Sequence, residues 1–287
     1  MRPDGLKTRI FLDGGDPAET KRIIELLGFL DGQTTNPTLV SKNPHARARF
    51  ENGDKFSADE IYDFYKQVVS DISALVPGGS VSIEVYADQT TGADAMLAQG
   101  QKMFGWIPNA HIKYPVTKEG LAAAERSVQD CLRVNMTLCF SQSQAAAVHA
   151  ATRGAAPGQV FVSPFIGRLD DLGQNGMQVV ENIIKMYRAA NSPVEVLAAS
   201  VRNLPHFMQS LALGADIITA PAGVLEEWGQ KGKPLPGSDF KYDAGRLQDI
   251  PYQELDLNQP WTAFDIHHDL TDKGIDRFSA DWNALIA

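Results

Sequence analysis

Short apolar runs alternate with longer stretches of helical periodicity from one end of this chain to the other. Runs of strand type occupy residues 10–13, 29–31, 81–85, 112–116, 134–140, 160–163, 194–199 and 216–220. The stretches between them open on helix-start signals. Asp16-Pro17-Ala18-Glu19 supplies an N-cap, a proline at the first helical position and an acid three residues after the cap. Ser57-Ala58-Asp59-Glu60 forms a capping box, followed by Ile61, Phe64, Tyr65, Val68, Ile72 and Leu75 at helical spacing. Eight such alternations predict a single-domain α/β fold, a TIM (β/α)8 barrel, with an open doubly wound sheet as the alternative.

Two segments break the rhythm. Residues 230–266 are rich in Pro, Gly, Asp and Gln without sustained periodicity, and predict a long surface arm or subunit contact before a last helix over residues 270–285. Residues 41–54, with the basic run His45-Ala46-Arg47-Ala48-Arg49, predict a solvated loop.

Strands of a parallel barrel are buried on both faces, so polar residues within them require a reason. In residues 134–140, apolar side chains fall at Val134, Met136, Leu138 and Phe140, which places Asn135, Thr137 and Cys139 together on the other face. The same alternation turns Ser82 and Glu84 inward, and Lys113 stands between Ile112 and Tyr114. Lys113 then has two readings. One is a structural barrel lysine paired with Glu84. The other is a nucleophile, because desolvation disfavours an ammonium ion and a free amine attacks a ketone to form an iminium. Asn135 and Thr137 suit a water or a substrate hydroxyl, or they satisfy each other.

The chain has 287 residues and a formal charge of −9, a balance that argues against nucleic-acid or membrane-surface partners. An anionic substrate therefore needs a local cationic site. Ser163-Pro164-Phe165-Ile166-Gly167-Arg168 and Ser200-Val201-Arg202-Asn203 each put an arginine and a serine just past a strand, chemistry that suits a phosphate monoester or another tetrahedral anion such as a sulfonate. Two cysteines give no disulfide framework, and the six histidines have no ligand spacing, so neither a metal nor another cofactor is expected. With no leader and no apolar run of about 18 residues, the expected location is cytoplasmic.

The motifs Phe11-Leu12-Asp13, Thr34-Thr35-Asn36-Pro37, Ser82-Ile83-Glu84-Val85, Ile112-Lys113-Tyr114-Pro115-Val116-Thr117, Asn135-Met136-Thr137-Leu138, Ser163 to Arg168 and Ala199-Ser200-Val201-Arg202 occur in the order found in transaldolases and fructose 6-phosphate aldolases. The chain resembles that family. The resemblance implies a Schiff base on Lys113, Asp13 as acid/base at the carbon–carbon bond, and Glu84 with Thr137 around a proton-relaying water. It further implies Asn36, Asn135 and Ser163 on substrate hydroxyls, Arg168, Ser200 and Arg202 on the phosphate, and Phe165 in the substrate site. The activity implied is transfer of a dihydroxyacetone unit from sedoheptulose 7-phosphate or fructose 6-phosphate to an aldose phosphate in the pentose phosphate pathway, by a homo-oligomer. Alternatives are an aldolase releasing free dihydroxyacetone, a transaldolase of sulfonated ketoses, and a catalytically silent sugar-phosphate binder. The aldolase branch tends to carry tyrosine where this chain has Phe165, which favours transfer.

Overall fold

In the computed structural model, which describes residues 1–287, the strands are β1 (Arg9–Asp13), β2 (Gly32–Thr34), β3 (Ser80–Glu84), β4 (Ala110–Pro115), β5 (Val134–Cys139), β6 (Val160–Pro164), β7 (Glu195–Ala198) and β8 (Ile217–Ala220). All neighbours are parallel, and β8 pairs back onto β1 to close the barrel in chain order. Closure settles the choice against an open sheet.

The helices are α1 (Pro17–Leu27), α2 (Pro37–Ser41), α3 (Pro44–Glu51), α4 (Ala58–Leu75), α5 (Ala93–Phe104), α6 (Lys118–Gln129), α7 (Gln142–Ala151), α8 (Ile166–Asp170), α9 (Gly176–Ala189), α10 (Leu204–Leu213), α11 (Ala222–Gln230) and α12 (Asp269–Asn283). Both predicted caps form: Asp16 accepts from Ala18 N at 2.9 Å, and Ser57 and Glu60 close a reciprocal box at 3.2 and 2.7 Å. No helix is long and apolar enough to cross a membrane.

The floor of the barrel is aromatic. Phe11 and Phe161 meet edge to face at 6.3 Å between ring centroids, and His111 stacks on Phe161 at 4.0 Å. Burial drives the His111 imidazole down to about 3, so it stays neutral, fixed between Ser80 and the Gly158 carbonyl. This plug leaves the carboxyl ends of the strands free to hold polar groups.

Two predicted elements are corrected. The second strand is Gly32–Thr34, not residues 29–31. Gln33 is wholly buried there, accepting from Thr20 Oγ1 at 2.7 Å and donating to the Gly14 carbonyl at 2.9 Å, so a polar tripeptide serves as a barrel strand. Phe29 instead packs edge-on to Trp228, and Asp31 pairs with Arg2 at 2.7 Å. Residues 41–54 are not a loop throughout: Asn43 caps α3, with Pro44 in its first turn, and His45 stacks on Phe64 at 5.5 Å.

The arm over residues 230–266 is irregular as expected, apart from a single 3₁₀ turn at Trp261–Ala263 and an isolated bridge between Gln174 and Gln248. It lies along the outside of the barrel. Asn182 donates to the Ile250 carbonyl at 3.0 Å, Gln142 exchanges bonds with Gln253 at 2.7 and 2.9 Å, and Arg153 grips the Leu257 and Gln259 carbonyls at 2.7 and 2.6 Å. These bonds carry the chain past α9 and α7 and deliver α12 onto α2, over the carboxyl end of the barrel of its own chain.

Candidate active site

Register builds the centre. Glu84 on β3 pairs with Lys113 on β4, and Lys113 pairs with Asn135 on β5. Paired residues on parallel strands share a face, so the three side chains project side by side into the barrel. Lys113 is 3% exposed; its Nζ lies 2.7 Å from Glu84 Oε2 and donates to the Thr35 carbonyl at 2.9 Å. The contact with Glu84 is a buried ion pair at hydrogen-bonding distance. Burial pushes the Glu84 carboxyl above its usual range, with the Lys113 charge pulling it back. The structural and nucleophilic readings of Lys113 are thus compatible: the same glutamate that balances the ammonium is placed to take its proton.

Supporting residues were not legible in the sequence. Tyr65, from α4, accepts from the Glu84 backbone N–H at 3.0 Å and shares a 2.6 Å hydrogen bond with Thr35 Oγ1. It therefore fixes the backbone on both sides of the Lys113 amine. In the sequence Tyr65 is one apolar position of a periodic helix, and nothing local marks it further.

Asp13 ends β1. Its Oδ1 accepts from Thr34 Oγ1 at 2.7 Å, and Thr34 shares a 2.6 Å bond with Thr219 of β8. Burial raises the Asp13 carboxyl, while Lys113, the Thr34 hydroxyl, Lys42 and Arg168 oppose the rise. Asn36 caps α2 by accepting from Leu39 N at 2.9 Å, which leaves its side-chain N–H groups for the pocket it lines. Ser163 also lines the pocket and donates to Asn135 Oδ1 at 2.6 Å. Asn135 itself lies beneath the cavity wall, fully buried, and donates to Ser82 Oγ at 3.1 Å. It orients Ser163 in this structure.

Thr137 is wholly buried, lines the cavity, and its hydroxyl has no partner. An unpaired buried hydroxyl costs about 1–3 kcal/mol, so this group is held ready for a water or a substrate oxygen.

Alternation on β5 stops after Thr137. Leu138 adopts φ +58°, and the register shifts between Met136 and Cys139. The expectation that Cys139 lines the barrel with Asn135 and Thr137 is therefore corrected: the bulge turns Leu138 toward α12, and Cys139 lies near Tyr187 on the outer helix α9. Burial pushes the Cys139 thiol up to about 12, which makes it inert. Thr271 of α12 donates to the Leu138 carbonyl at 3.0 Å and ties the bulge to the last helix.

The cationic groups stand above. Arg168, in α8, has its guanidinium against the rings of both Phe165 and Phe278, each centroid 5.2 Å from Cζ. Burial lowers the Arg168 pKa, as does the repulsion of Arg277 and, more weakly, of Arg202, while Glu84 and Asp171 oppose the fall. Arg202 is half-exposed, and its Nη2 donates to Asp171 at 2.7 Å. Ser200 lines the cavity from a left-handed backbone (φ +55°), a conformation that costs a non-glycine residue about 1 kcal/mol and sets the direction of the chain between β7 and Arg202. His206 joins the two arginine segments, pairing with Asp170 at 2.9 Å and accepting from Arg202 N at 3.5 Å.

Close approach here depends on two glycines. A Cβ on Gly167 would fall 2.5 Å from Arg202 Cγ, and one on Gly274 would fall 2.7 Å from Arg168 Nη1. The cavity between floor and rim measures about 340 Å³ and collects Asp13, Asn36, Lys113, Thr137, Ser163, Phe165, Arg168, Ser200 and Arg202. Glu84 lies against Lys113 beside it. Lys42, Arg277 and Phe278 also line the cavity and were missed. On an amphipathic helix, an exposed arginine carries no sequence mark that separates it from ordinary surface charge. No cluster of three or more His, Cys, Asp or Glu side chains is arranged to hold a metal ion.

A closed parallel barrel with its polar cavity at the carboxyl ends of the strands has the layout in which barrel enzymes hold their active sites. The family model described as transaldolase/fructose-6-phosphate aldolase matches residues 10–287, and the chain belongs to that family. A probable transaldolase of Dehalococcoides mccartyi is 36% identical over 277 residues, covering 96% of this chain and 99% of the relative. One from Caulobacter vibrioides is 35% identical, covering 96% of each chain, and one from Dinoroseobacter shibae is 40% identical, covering 74% of this chain and 86% of its own.

Proposed function

We propose that this chain is a transaldolase that moves a dihydroxyacetone unit from a ketose phosphate, sedoheptulose 7-phosphate or fructose 6-phosphate, to an aldose phosphate through a Schiff base on Lys113. The observation that carries this reading is the Lys113 amine, buried 2.7 Å from Glu84 below a rim bearing Arg168 and Arg202.

Glu84, its proton affinity raised by burial, takes a proton from Lys113 and frees the amine lone pair. The amine adds to the ketone carbon, and loss of the carbonyl oxygen as water leaves an iminium. Thr137 and Glu84 hold that water and relay its protons. Asp13 removes the proton of the hydroxyl on the far carbon of the bond to be broken, the carbon that becomes the aldehyde. The carbon–carbon electrons flow into the iminium, giving an enamine on Lys113 and a free aldose phosphate. A second aldose phosphate captures the enamine, its new alkoxide takes the proton back from Asp13, and water releases the product ketose. Asn36 and Ser163, with Asn135 behind it, bind the hydroxyls of the three-carbon unit, and Arg168, Ser200 and Arg202 take the phosphate.

Phe165 supports transfer over release, since a phenyl ring has no proton to give the enamine. The proposal extends to a cytoplasmic homo-oligomer in the pentose phosphate pathway, without nucleic-acid or membrane partners. Borohydride added with fructose 6-phosphate should leave a reduced three-carbon adduct on Lys113, read by peptide mass spectrometry. Its absence from active protein overturns the Schiff-base reading. Product should form only when an acceptor aldose phosphate is present; abundant free dihydroxyacetone without one would make the chain an aldolase.

A further inference from the structure

Nothing in the transaldolase reading uses Lys42 or Arg277, yet both line the same cavity as Lys113. They come from elements that pack on each other, Lys42 from the C-terminal cap of α2 and Arg277 from α12. Neither is a buried structural charge. The Arg277 side chain is 64% exposed at the rim, where its only acidic neighbour is Asp281, 3.8 Å from Nε, and Lys42 makes no ion pair. Asp281 is itself bonded to Thr38, so it anchors the base of the Arg277 side chain and leaves the outer end of the guanidinium free.

The rim therefore carries Lys42, Arg168, Arg202 and Arg277 around one cavity of about 340 Å³ in a protein of formal charge −9. Arg168 makes no ion pair; the largest charged influence on it is the repulsion of Arg277, which the Glu84 and Asp171 carboxylates oppose. Four cations around one small cavity repel one another, an arrangement stabilised when a compact anion occupies it. Two guanidiniums suffice to neutralise a dianion. A third, with a lysine on the same rim, contributes most where the ligand carries two full charges and least where it carries one.

We propose that Arg277 and Lys42 are specificity-determining residues that make the cavity prefer a doubly charged phosphate monoester over a singly charged sulfonate. The proposal rests on the reading above only in taking Arg168 and Arg202 as the anion's first partners. It assigns α12 a place in substrate selection, held over its own barrel by the arm and by Thr271 on the Leu138 carbonyl. Phe278, one residue on, packs its ring against the Arg168 guanidinium, so α12 brings both Arg277 and a support for Arg168 to the cavity.

The test is equilibrium binding, independent of any covalent step. Inorganic phosphate and methanesulfonate are titrated calorimetrically at pH 8 into the full chain and into R277Q, R277K and K42Q, with thermal unfolding as the check on folding. In R277Q the phosphate affinity should fall about tenfold and the methanesulfonate affinity about threefold or less, so that the preference for phosphate narrows. R277K, which keeps the charge, should recover most of the preference, and K42Q should narrow it by a smaller factor. The R277Q effect should shrink in added salt, as expected of an exposed charge.

Equal losses for both anions, or no loss in folded R277Q, overturn the proposal. Should R277Q fail to fold, an unchanged preference in K42Q does the same. Phosphate binding that depends on Arg277 in a protein that forms no borohydride adduct would leave this inference standing while the Schiff-base reading fell. A catalytic protein whose phosphate affinity ignores Arg277 would do the reverse.

Discussion

The floor and the rim of one cavity handle charge in opposite ways. On the floor, Lys113 and Glu84 are 3% and 5% exposed and are fixed by strand register, by the Thr35 carbonyl and by the Tyr65 hydroxyl. At the rim, Arg202 and Arg277 have side chains 50% and 64% exposed and sit on a loop and a helix. Burial makes the floor charges strong, costly and immobile, suited to moving a proton at a fixed atom. Exposure makes the rim charges weak, screened and adjustable, suited to attracting and sorting anions.

The contrast predicts a graded series of effects. Lys113→Ala should abolish the borohydride adduct and lower turnover by about 10⁴-fold or more, because the other amine of the cavity, Lys42, is exposed at the rim and not buried against Glu84. Residual turnover within tenfold of the unaltered protein would erase the distinction between floor and rim. Glu84→Gln should lower kcat by about 10²–10³-fold. Burial raises both Glu84 and Asp13, so the acid limb of kcat/KM should lie above the ordinary carboxylate range and lose one ionisation in this variant. An unchanged limb would remove Glu84 from the proton path.

Arg202→Gln should instead raise KM by about tenfold with little change in kcat, and the difference should narrow at high salt. A salt-independent fall in kcat would place Arg202 functionally with the floor. The smallest effect concerns stability. A carboxyl whose folded-state pKa is raised contributes stability that is complete below its unfolded value and lost as the pH rises through the folded value, so ionised Asp13 burdens the fold at neutral pH. Asp13→Asn keeps an acceptor for Thr34 and removes the charge. It should lose most activity yet raise Tm by roughly 1–4 °C at neutral pH, an increment that fades in acid. A lowered Tm would show that attraction to Lys113 outweighs desolvation.

Legibility divides along the same line. Glu84 and Lys113 stood out because they interrupt strands that parallel pairing buries on both faces, and the structure sets them side by side. Asn135 and Thr137 were found by the same alternation, but the pattern overran at Cys139, where the bulge at Leu138 reverses the faces. The polar strand Gly32–Thr34 escaped notice because its glutamine is satisfied by Thr20 and the Gly14 carbonyl, partners that periodicity does not display. Asp13 and Asn36 were marked only by family resemblance. Arg277 and Lys42 were marked by nothing.

By itself the sequence determined the barrel, the helix caps and the buried lysine with its acid, because these follow from periodicity and from the cost of burying charge, which act locally along the chain. Tertiary structure alone decided which oxygen faces the Lys113 amine, where β5 breaks its alternation, and that the last helix returns to bring Arg277 over the cavity. Those outcomes depend on packing between elements far apart in sequence: Phe165 and Phe278 stand 113 positions apart, yet both rings lie against the Arg168 guanidinium.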